Sequence, residues 1–323
     1  MLRRLKSAFD PYILLLLSTV ALASFAPLRG AAVAWGEVAA NAGIVLLFFL
    51  HGAKLSREAI VAGAGNWRLH VAVLVATFVL FPLLGFGIAH IPYLTPMVAT
   101  GMLFLTLLPS TVQSSVAFTS IARGHVAAAI CSASFSNLAG LVFTPLLAAL
   151  LMHGAGASLG LGAVEKIVGQ LFVPFVAGHL LRPWIGGFVH RHKKLVSYVD
   201  RGSILIVVFT AFSAAVVEGL WHRLPLAALG EVVALVVVLL AIVLNVTWRA
   251  GAALGLSRED RIVLLFCGSK KSLASGVPMA GVLFPAAQVG VVILPLMLFH
   301  QIQLMACAVI ARALGGAGAR DES

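Results

Sequence analysis

The sequence predicts an all-α membrane protein with ten transmembrane helices. Of its 323 residues, 61% are hydrophobic and 10% are charged, whereas soluble domains carry about 25% charged residues. Apolar windows long enough to cross a bilayer as helices recur along the chain, and most charged residues fall between them. Two of these windows contain a polar interruption, which predicts broken helices.

Each predicted span contains an apolar window of about 17–25 residues. We place the spans near residues 11–28, 37–55, 69–90, 94–122, 125–152, 161–182, 203–221, 227–250, 260–284 and 287–314. The first follows Arg3, Arg4 and Lys6 and therefore has the pattern of a secretory signal. Its removal would leave nine spans and break the symmetry between the two halves, so we expect it to be retained.

The distribution of basic residues predicts the orientation of the spans, because cytoplasmic connections are enriched in Lys and Arg. With the amino terminus inside, the cytoplasmic side carries most of the 22 basic residues, and the longest charged connection runs from His190 to Asp200. Both termini are then cytoplasmic, in a bacterial inner membrane. The net charge of +11 is explained by this topology, which argues against nucleic-acid binding. The inside residues are Arg3, Arg4, Lys6, Lys54, Arg57, Arg68, Arg123, Arg182, Arg191, Lys193, Lys194, Arg201, Arg249, Arg258, Arg261, Arg312 and Arg320.

The two polar interruptions lie five spans apart, in the fourth and the ninth span. An odd number of spans per repeat turns the second copy over in the membrane, as in the inverted repeats of many secondary transporters. We therefore divide the chain into two five-helix repeats, residues 1–155 and 156–323. Broken helices at equivalent places in such repeats predict a binding site near the middle of the membrane.

Hydroxyl and amide groups crowd the first interruption, after Pro109. Such oxygen atoms suit a weakly held alkali cation or the hydrogen-bonding groups of a substrate. Alternatively, they only satisfy the backbone that the proline leaves unpaired. The candidate ligands here are Ser110, Thr111, Gln113, Ser114 and Ser115.

The second interruption, FCGSKKSLASGVP, places Lys270 and Lys271 in the middle of an apolar span. A charge at the bilayer centre costs roughly 2.5–3.5 kcal/mol, so it is expected only in a polar cavity or beside a partner. The lysines could snorkel to an interface, bind an anionic substrate, or fill a cation site with a tethered ammonium, and either could exchange a proton. Ser269 and Ser272 are further candidate ligands, and Gly268, Gly276 and Pro278 are predicted to break the helix.

Polar residues of the fifth and tenth spans are candidate walls of the same site. Ser136, Asn137 and Gln301 would line it or hydrogen-bond between helices. His300 would handle a proton or act as a packing residue. No Asp falls in a predicted span, so the buried carboxylate that cation/proton antiport would use is missing. No catalytic, metal or cofactor motif is visible, which predicts a protein that is not an enzyme and has no cofactor.

These features resemble the bile acid:sodium symporter family, in particular the bacterial branch related to its seventh vertebrate member. The resemblance is carried by the break after Pro109, the turn Ala122-Arg123-Gly124 and the CGSKKSLASGVP segment. It implies a panel domain (residues 11–55 and 161–221) and a core domain (residues 69–152 and 227–314). It also implies that the discontinuous helices 4 and 9 cross at the substrate site and that the core moves against the panel during transport.

The resemblance further implies where cation ligands would lie. In sodium-coupled members they come from a polar pair after the fourth-helix break, from the fifth span, and from a glutamate and a glutamine in the ninth helix. The matching positions here are Ser114, Ser115, Ala129, Ala133, Phe266 and Lys270. Three of these six positions are apolar and one is a cation, so the sodium site departs from the family pattern.

Together these observations predict a secondary transporter of an organic anion that works by alternating access. With lysine in place of the sodium-site residues, it would be sodium-independent or proton-coupled. Alternatives are a sodium-coupled symporter or cation/proton antiporter of the same architecture, and a membrane regulatory protein that does not transport. Its expected partners are an organic anion, Na⁺ or H⁺ as coupling ion, and the lipid bilayer.

Overall fold

A computed structural model describes residues 11–54, 65–152, 165–166, 168–223 and 226–318. These residues form helices and short connections, with no strand among them. The all-α class is therefore confirmed.

The described part before residue 153 begins with α1 and α2 and continues with a group of shorter helices. Two of these shorter helices are joined by a π-helical turn, in which each backbone hydrogen bond joins residues five positions apart instead of four. The helices are α1 (Pro11–Phe25), α2 (Ala31–Lys54), α3 (Trp67–Val75), the π-helical turn (Ala76–Leu80), α4 (Phe81–Ala89), α5 (Pro96–Leu107), α6 (Val112–Ile121) and α7 (Val126–Leu151).

The described part after residue 164 repeats the mixture of long and short helices. It includes a second π-helical turn (Val168–Phe172). The α-helices are α8 (Val173–Arg191), α9 (Lys193–Val217), α10 (Leu220–Arg223), α11 (Leu226–Ala253), α12 (Arg258–Gly268), α13 (Leu273–Leu283) and α14 (Ala286–Gly318).

Within the described residues, 7 helices are long and apolar enough to cross a membrane, and α5 with α6, which meet at an angle of 64°, make an eighth candidate if this bent pair is one span. The other two predicted spans correspond to α1, of 15 residues, and to the pair α12 and α13, of 11 residues each. The protein is thus an integral membrane protein with several spans. Ten spans in two inverted repeats stay a prediction.

The predicted connection from His190 to Asp200 is wrong. Helix α8 ends at Arg191 and α9 begins at Lys193, so one residue separates them. Asp200 therefore lies in the helix of a candidate span, three residues before the window of residues 203–221 predicted from the sequence. Its carboxylate forms an ion pair with Lys54, which explains how the helix carries this charge.

The described residues divide into two compact units. The first draws on Met1–Leu55, His153–Pro225 and Val277–Ile293. The second draws on Ser56–Met152, Leu226–Gly276 and Leu294–Ser323. Both helix breaks, after α5 and after α12, belong to the second unit.

The start of α12 is fixed by a polar cluster in the second unit. Ser257 caps the helix, since its Oγ accepts a hydrogen bond from the Asp260 N–H. The Asp260 carboxylate accepts a hydrogen bond of 2.7 Å from Asn66 Nδ2, and Asn66 caps α3. The other Asp260 oxygen lies 3.2 Å from Nδ1 of His125, which precedes α7. The first turns of α3, α7 and α12 are therefore held together, which positions the break at the other end of α12.

Candidate functional site

The two helix breaks lie in direct contact and complete each other's hydrogen bonds. The Ser272 N–H donates to the Pro109 carbonyl at 2.9 Å, and the Thr111 hydroxyl donates to the Lys271 carbonyl at 2.9 Å. The Ser115 hydroxyl donates to the Phe266 carbonyl at 3.0 Å. Backbone groups freed by each break are thus satisfied by the other, as buried polar groups require.

Helix α7 satisfies further groups of the first break. Thr144 Oγ1 donates to the Leu107 carbonyl at 2.8 Å, and Asn137 Nδ2 donates to the Ser110 carbonyl at 2.8 Å. The Ser110 N–H donates to Ser136 Oγ at 3.0 Å. This close approach needs a glycine, because a Cβ on Gly140 would lie 2.7 Å from the Pro109 ring.

Gln303 of α14 binds the backbone of the second break. Its Oε1 accepts a hydrogen bond from the Lys271 N–H, and its Nε2 donates to the Lys271 carbonyl, both at 3.0 Å. The same Nε2 lies 2.9 Å from Nδ1 of His300. One side-chain amide therefore takes the place of the helical partners that Lys271 lacks.

The Lys271 side chain is fully buried and its ammonium has three acceptors. Nζ donates to the carbonyl oxygens of Thr77 at 2.9 Å, Thr106 at 2.8 Å and Leu108 at 2.7 Å. It also lies 4.1 Å from the centroid of the Phe81 ring, within cation–π distance. All three N–H groups of the ammonium are thus used.

Proline explains why the Thr77 carbonyl is free. In an α-helix it would accept from the N–H of Phe81, but in the π-helical turn that N–H donates to Ala76 instead. The next residue, Pro82, has no N–H to offer. Thr77 therefore has no helical donor, and the Lys271 ammonium supplies one.

The other two carbonyls are free because of a second proline and the extended backbone beside it. Thr106 would accept from the N–H of Ser110 in an α-helix, but that N–H donates to a side chain of α7. The intervening Pro109 again lacks an N–H. Leu108 is extended, with φ −78° and ψ 154°, and lies outside α5. Its carbonyl and that of Thr106 both accept from Lys271.

Lys270 has the opposite environment, although it is equally buried. Its Nζ lies 4.0 Å from the Phe118 ring centroid and 5.2 Å from that of Phe266. No hydrogen-bond acceptor for it occurs among the described residues. Three buried hydroxyls of the first broken span also lack partners within the described part of the chain: Ser110, Ser114 and Thr119.

Most of the sequence-predicted residues meet at the two breaks, but some do not. Gln113 is exposed. The Gln301 amide is buried and makes no hydrogen bond within the described residues, whereas Gln303, two positions later, binds the break. The members brought together are Pro109, Ser110, Thr111, Ser115, Ser136, Asn137, Gly268, Ser269, Lys270, Lys271 and Ser272.

The prediction that Gly276 and Pro278 break the helix is wrong, because α13 runs through both. Pro278 lies in the second turn of α13, so it removes only the bond to a first-turn carbonyl. A Cβ on Gly276 would lie 2.5 Å from Leu108 and from Leu296, so this glycine allows close packing. Ser275, in the same turn, donates to Asn137 Oδ1 at 2.9 Å.

Residues 10–315 match the SBF-like CPA transporter family. The chain belongs to this family. An uncharacterised protein of Pseudomonas aeruginosa is 57% identical over 94% of this chain and 92% of its own length. YfeH of Escherichia coli, named as a symporter candidate, is 54% identical over the same shares of the two chains. The sodium/bile acid cotransporter 7 of Xenopus tropicalis is 26% identical over 82% of this chain and 78% of its own length.

The resemblance stated from the sequence is thus confirmed, and the protein belongs to a family of transporters rather than enzymes. Three of the six positions that the family resemblance assigns to cation ligands carry apolar residues. Ala129 and Ala133 belong to a buried hydrophobic cluster with Cys267, and Phe266 belongs to a second such cluster. No oxygen ligand comes from these three side chains.

Sequence reasoning missed five residues of the site or gave them little weight: Thr77, Thr106, Phe81, Phe118 and Gln303. A signal for the first was present, since Thr77 precedes Pro82 by five residues, and a proline removes the donor of an upstream carbonyl. Gln303 follows His300 by three residues, so both lie on one face of α14. That this face meets the second break depends on tertiary packing.

Proposed function

We propose that this transporter carries an organic anion by alternating access and needs no sodium, because a buried lysine replaces the bound cation. Support comes from its family and from one observation above all. Three of the positions expected to bind sodium carry Ala129, Ala133 and Phe266, while two buried ammonium groups lie at the contact between the breaks.

Electrostatic repulsion argues against a sodium ion at this place. Two unit charges 4 Å apart repel by about 4 kcal/mol at an effective dielectric constant near 20. A sodium ion beside Lys270 would meet this repulsion, and the glutamate that the family resemblance expects at position 266 is a phenylalanine here. The lysine charge itself would instead attract an anionic substrate.

The substrate class follows from the number of available ammonium groups. Lys271 uses its three N–H groups on carbonyls, so Lys270 alone has hydrogen bonds to offer. One positive group favours a monoanion over a dicarboxylate or a phosphate dianion. The Phe118 and Phe266 rings beside it favour an apolar or aromatic body on that monoanion.

A binding screen tests this proposal. The purified protein is heated in detergent with benzoate, phenylacetate, taurocholate, succinate or phosphate, each in sodium chloride and in choline chloride. We expect one or more monoanions to raise the midpoint of unfolding equally in both salts. Lys270→Met should lose this rise, because the substitution keeps the volume of the side chain and removes its charge.

Transport of the anion that binds is then measured in proteoliposomes. Faster uptake in a pH gradient would indicate proton coupling. Uptake that does not change with the gradient would indicate uncoupled transport. Uptake that needs a sodium gradient, and still does so in Lys270→Gln, would contradict the proposal and favour sodium symport. Binding without flux would favour a regulatory role.

A further inference from the structure

The geometry points to a second site in the same region: we propose that the three carbonyl oxygens around Lys271 form a site for a monovalent cation of ammonium or potassium size, which the lysine fills from within. We call the carbonyls of Thr77, Thr106 and Leu108 with the Phe81 ring the carbonyl cage. It differs from the cation positions that the family resemblance assigns.

The contacts of the carbonyl cage are those of a cation site. Three oxygens from two segments of the chain lie 2.7–2.9 Å from the same nitrogen atom, and the centroid of an aromatic ring lies 4.1 Å away. Backbone carbonyls replace the hydration shell of potassium in channel filters, and aromatic faces attract cations. The bound group in this protein is the ammonium of Lys271.

The carbonyl cage does not depend on Lys271 for its oxygens. Two of the three are free because Pro82 and Pro109 lack an N–H and because the alternative donors are used elsewhere. These oxygens would stay unpaired in a variant without the ammonium. A buried carbonyl without a donor is unfavourable, so a small cation that enters would stabilise the fold.

The distances in the carbonyl cage and the lack of carboxylates among its contacts indicate which cation would fit. Their distances to Nζ are those of N–H···O hydrogen bonds, which suits ammonium and the similarly sized potassium ion. Sodium is smaller and would require the three backbone oxygens to move inward. A divalent ion favours carboxylates, and none is among the cage contacts.

The test uses Lys271→Ala, which removes the ammonium and opens space for an ion. Thermal unfolding is measured in detergent with potassium, ammonium, propylammonium or sodium chloride, at constant ionic strength with N-methylglucamine chloride. Potassium, ammonium and propylammonium should raise the midpoint saturably by about 5 °C, and sodium should raise it less. The readout is stability and not flux, so this proposal and the proposed transport can fail separately.

Two matched variants and the unmodified protein are the controls. Lys271→Met fills the stem volume with a neutral side chain and should not respond to these ions. Lys270→Ala removes the neighbouring buried lysine, which has no oxygen partner within the described residues, and should not respond either. The unmodified protein should show no selectivity among the salts, because its carbonyl cage is full.

Several results would overturn the proposal. One is an equal response of Lys271→Ala to every salt, or no response. Another is the same selective response in Lys270→Ala. Cells are rich in potassium, so Lys271→Ala, or failing that Lys271→Ser, should reach the membrane folded; failure of both would also count against the carbonyl cage. In the unmodified protein labelled with ¹⁵N-lysine, a solvent-protected ammonium signal is expected, and its absence would exclude a resident cation.

Discussion

Lys270 and Lys271 are neighbours in the sequence and have opposite surroundings. The ammonium of Lys271 has three oxygen acceptors, and that of Lys270 has two aromatic faces. Both lysines lie between α12 and α13, where the chain is not helical, so helical spacing does not determine where their side chains point. The sequence could show that two charges are buried at the break. It could not show which of the two charges has oxygen acceptors, because these acceptors belong to residues about 160 and 190 positions away.

At this scale, Gln303 provides a sharp stability prediction. Gln303→Leu leaves the Lys271 N–H without its acceptor and the Lys271 carbonyl with Thr111 alone. We expect a loss of about 1–3 kcal/mol in the free energy of unfolding, measured by denaturant titration in detergent. Gln301→Leu is the matched control and should be neutral, because its amide has no partner within the described residues. Equal losses in the two variants would contradict the role of Gln303.

At the scale of elements, the break after Pro109 depends on the close approach of α7. Gly140→Ala places a methyl group 2.7 Å from the proline ring, so α7 must move and weaken its bonds to Ser110. We expect a loss of about 1–3 kcal/mol, visible as a lower midpoint of thermal unfolding. Gly187→Ala in α8 is the control, because its Cβ would meet nothing within 4 Å. That variant should be neutral or slightly more stable.

The first turn of α12 gives a pH-dependent prediction. Hydrogen bonds from its own backbone N–H and from the Ser257 hydroxyl lower the pKa of Glu259 below its ordinary value of 4.5. A lowered pKa means that ionised Glu259 stabilises the fold above that pH and that this stabilisation is lost as the pH falls through the folded-state value. Because the side chain is exposed, Glu259→Gln should cost at most about 0.5 kcal/mol at pH 7. Thermal unfolding at pH 7 and pH 3.5 should show this difference shrink, and a constant difference would contradict it.

Sequence reasoning placed the breaks in the fourth and ninth spans but not all of their boundaries. Pro109 and the double lysine are strong local signals, and the helices end at Leu107 and Gly268. Gly276 and Pro278 were misleading, because a proline near the start of a helix is tolerated and a glycine also serves close packing. The connection from His190 to Asp200 was mistaken because charged residues continue a helix when they are paired or exposed.

At the scale of the whole molecule, composition alone gave the all-α membrane class and the family resemblance gave the transporter. Only seven or eight of the ten predicted spans meet the length and hydropathy test within the described residues. The shortfall comes from α1 and from the halves of the ninth span, which are short helices. A polar break divides the apolar window of the predicted ninth span, so a test for long continuous helices does not count it.

Two carbonyls in the first half of the chain accept hydrogen bonds from a side chain in the second half, and this has a consequence for biosynthesis. Thr77 and Thr106 leave the ribosome long before residue 271, and the donor that satisfies them does not yet exist. Their segments must enter the translocon with these oxygens shielded by water or by temporary neighbours. The second unit thus reaches its native backbone pairing only after residue 271 has been translated, so the contacts of this lysine form late in the assembly of the chain.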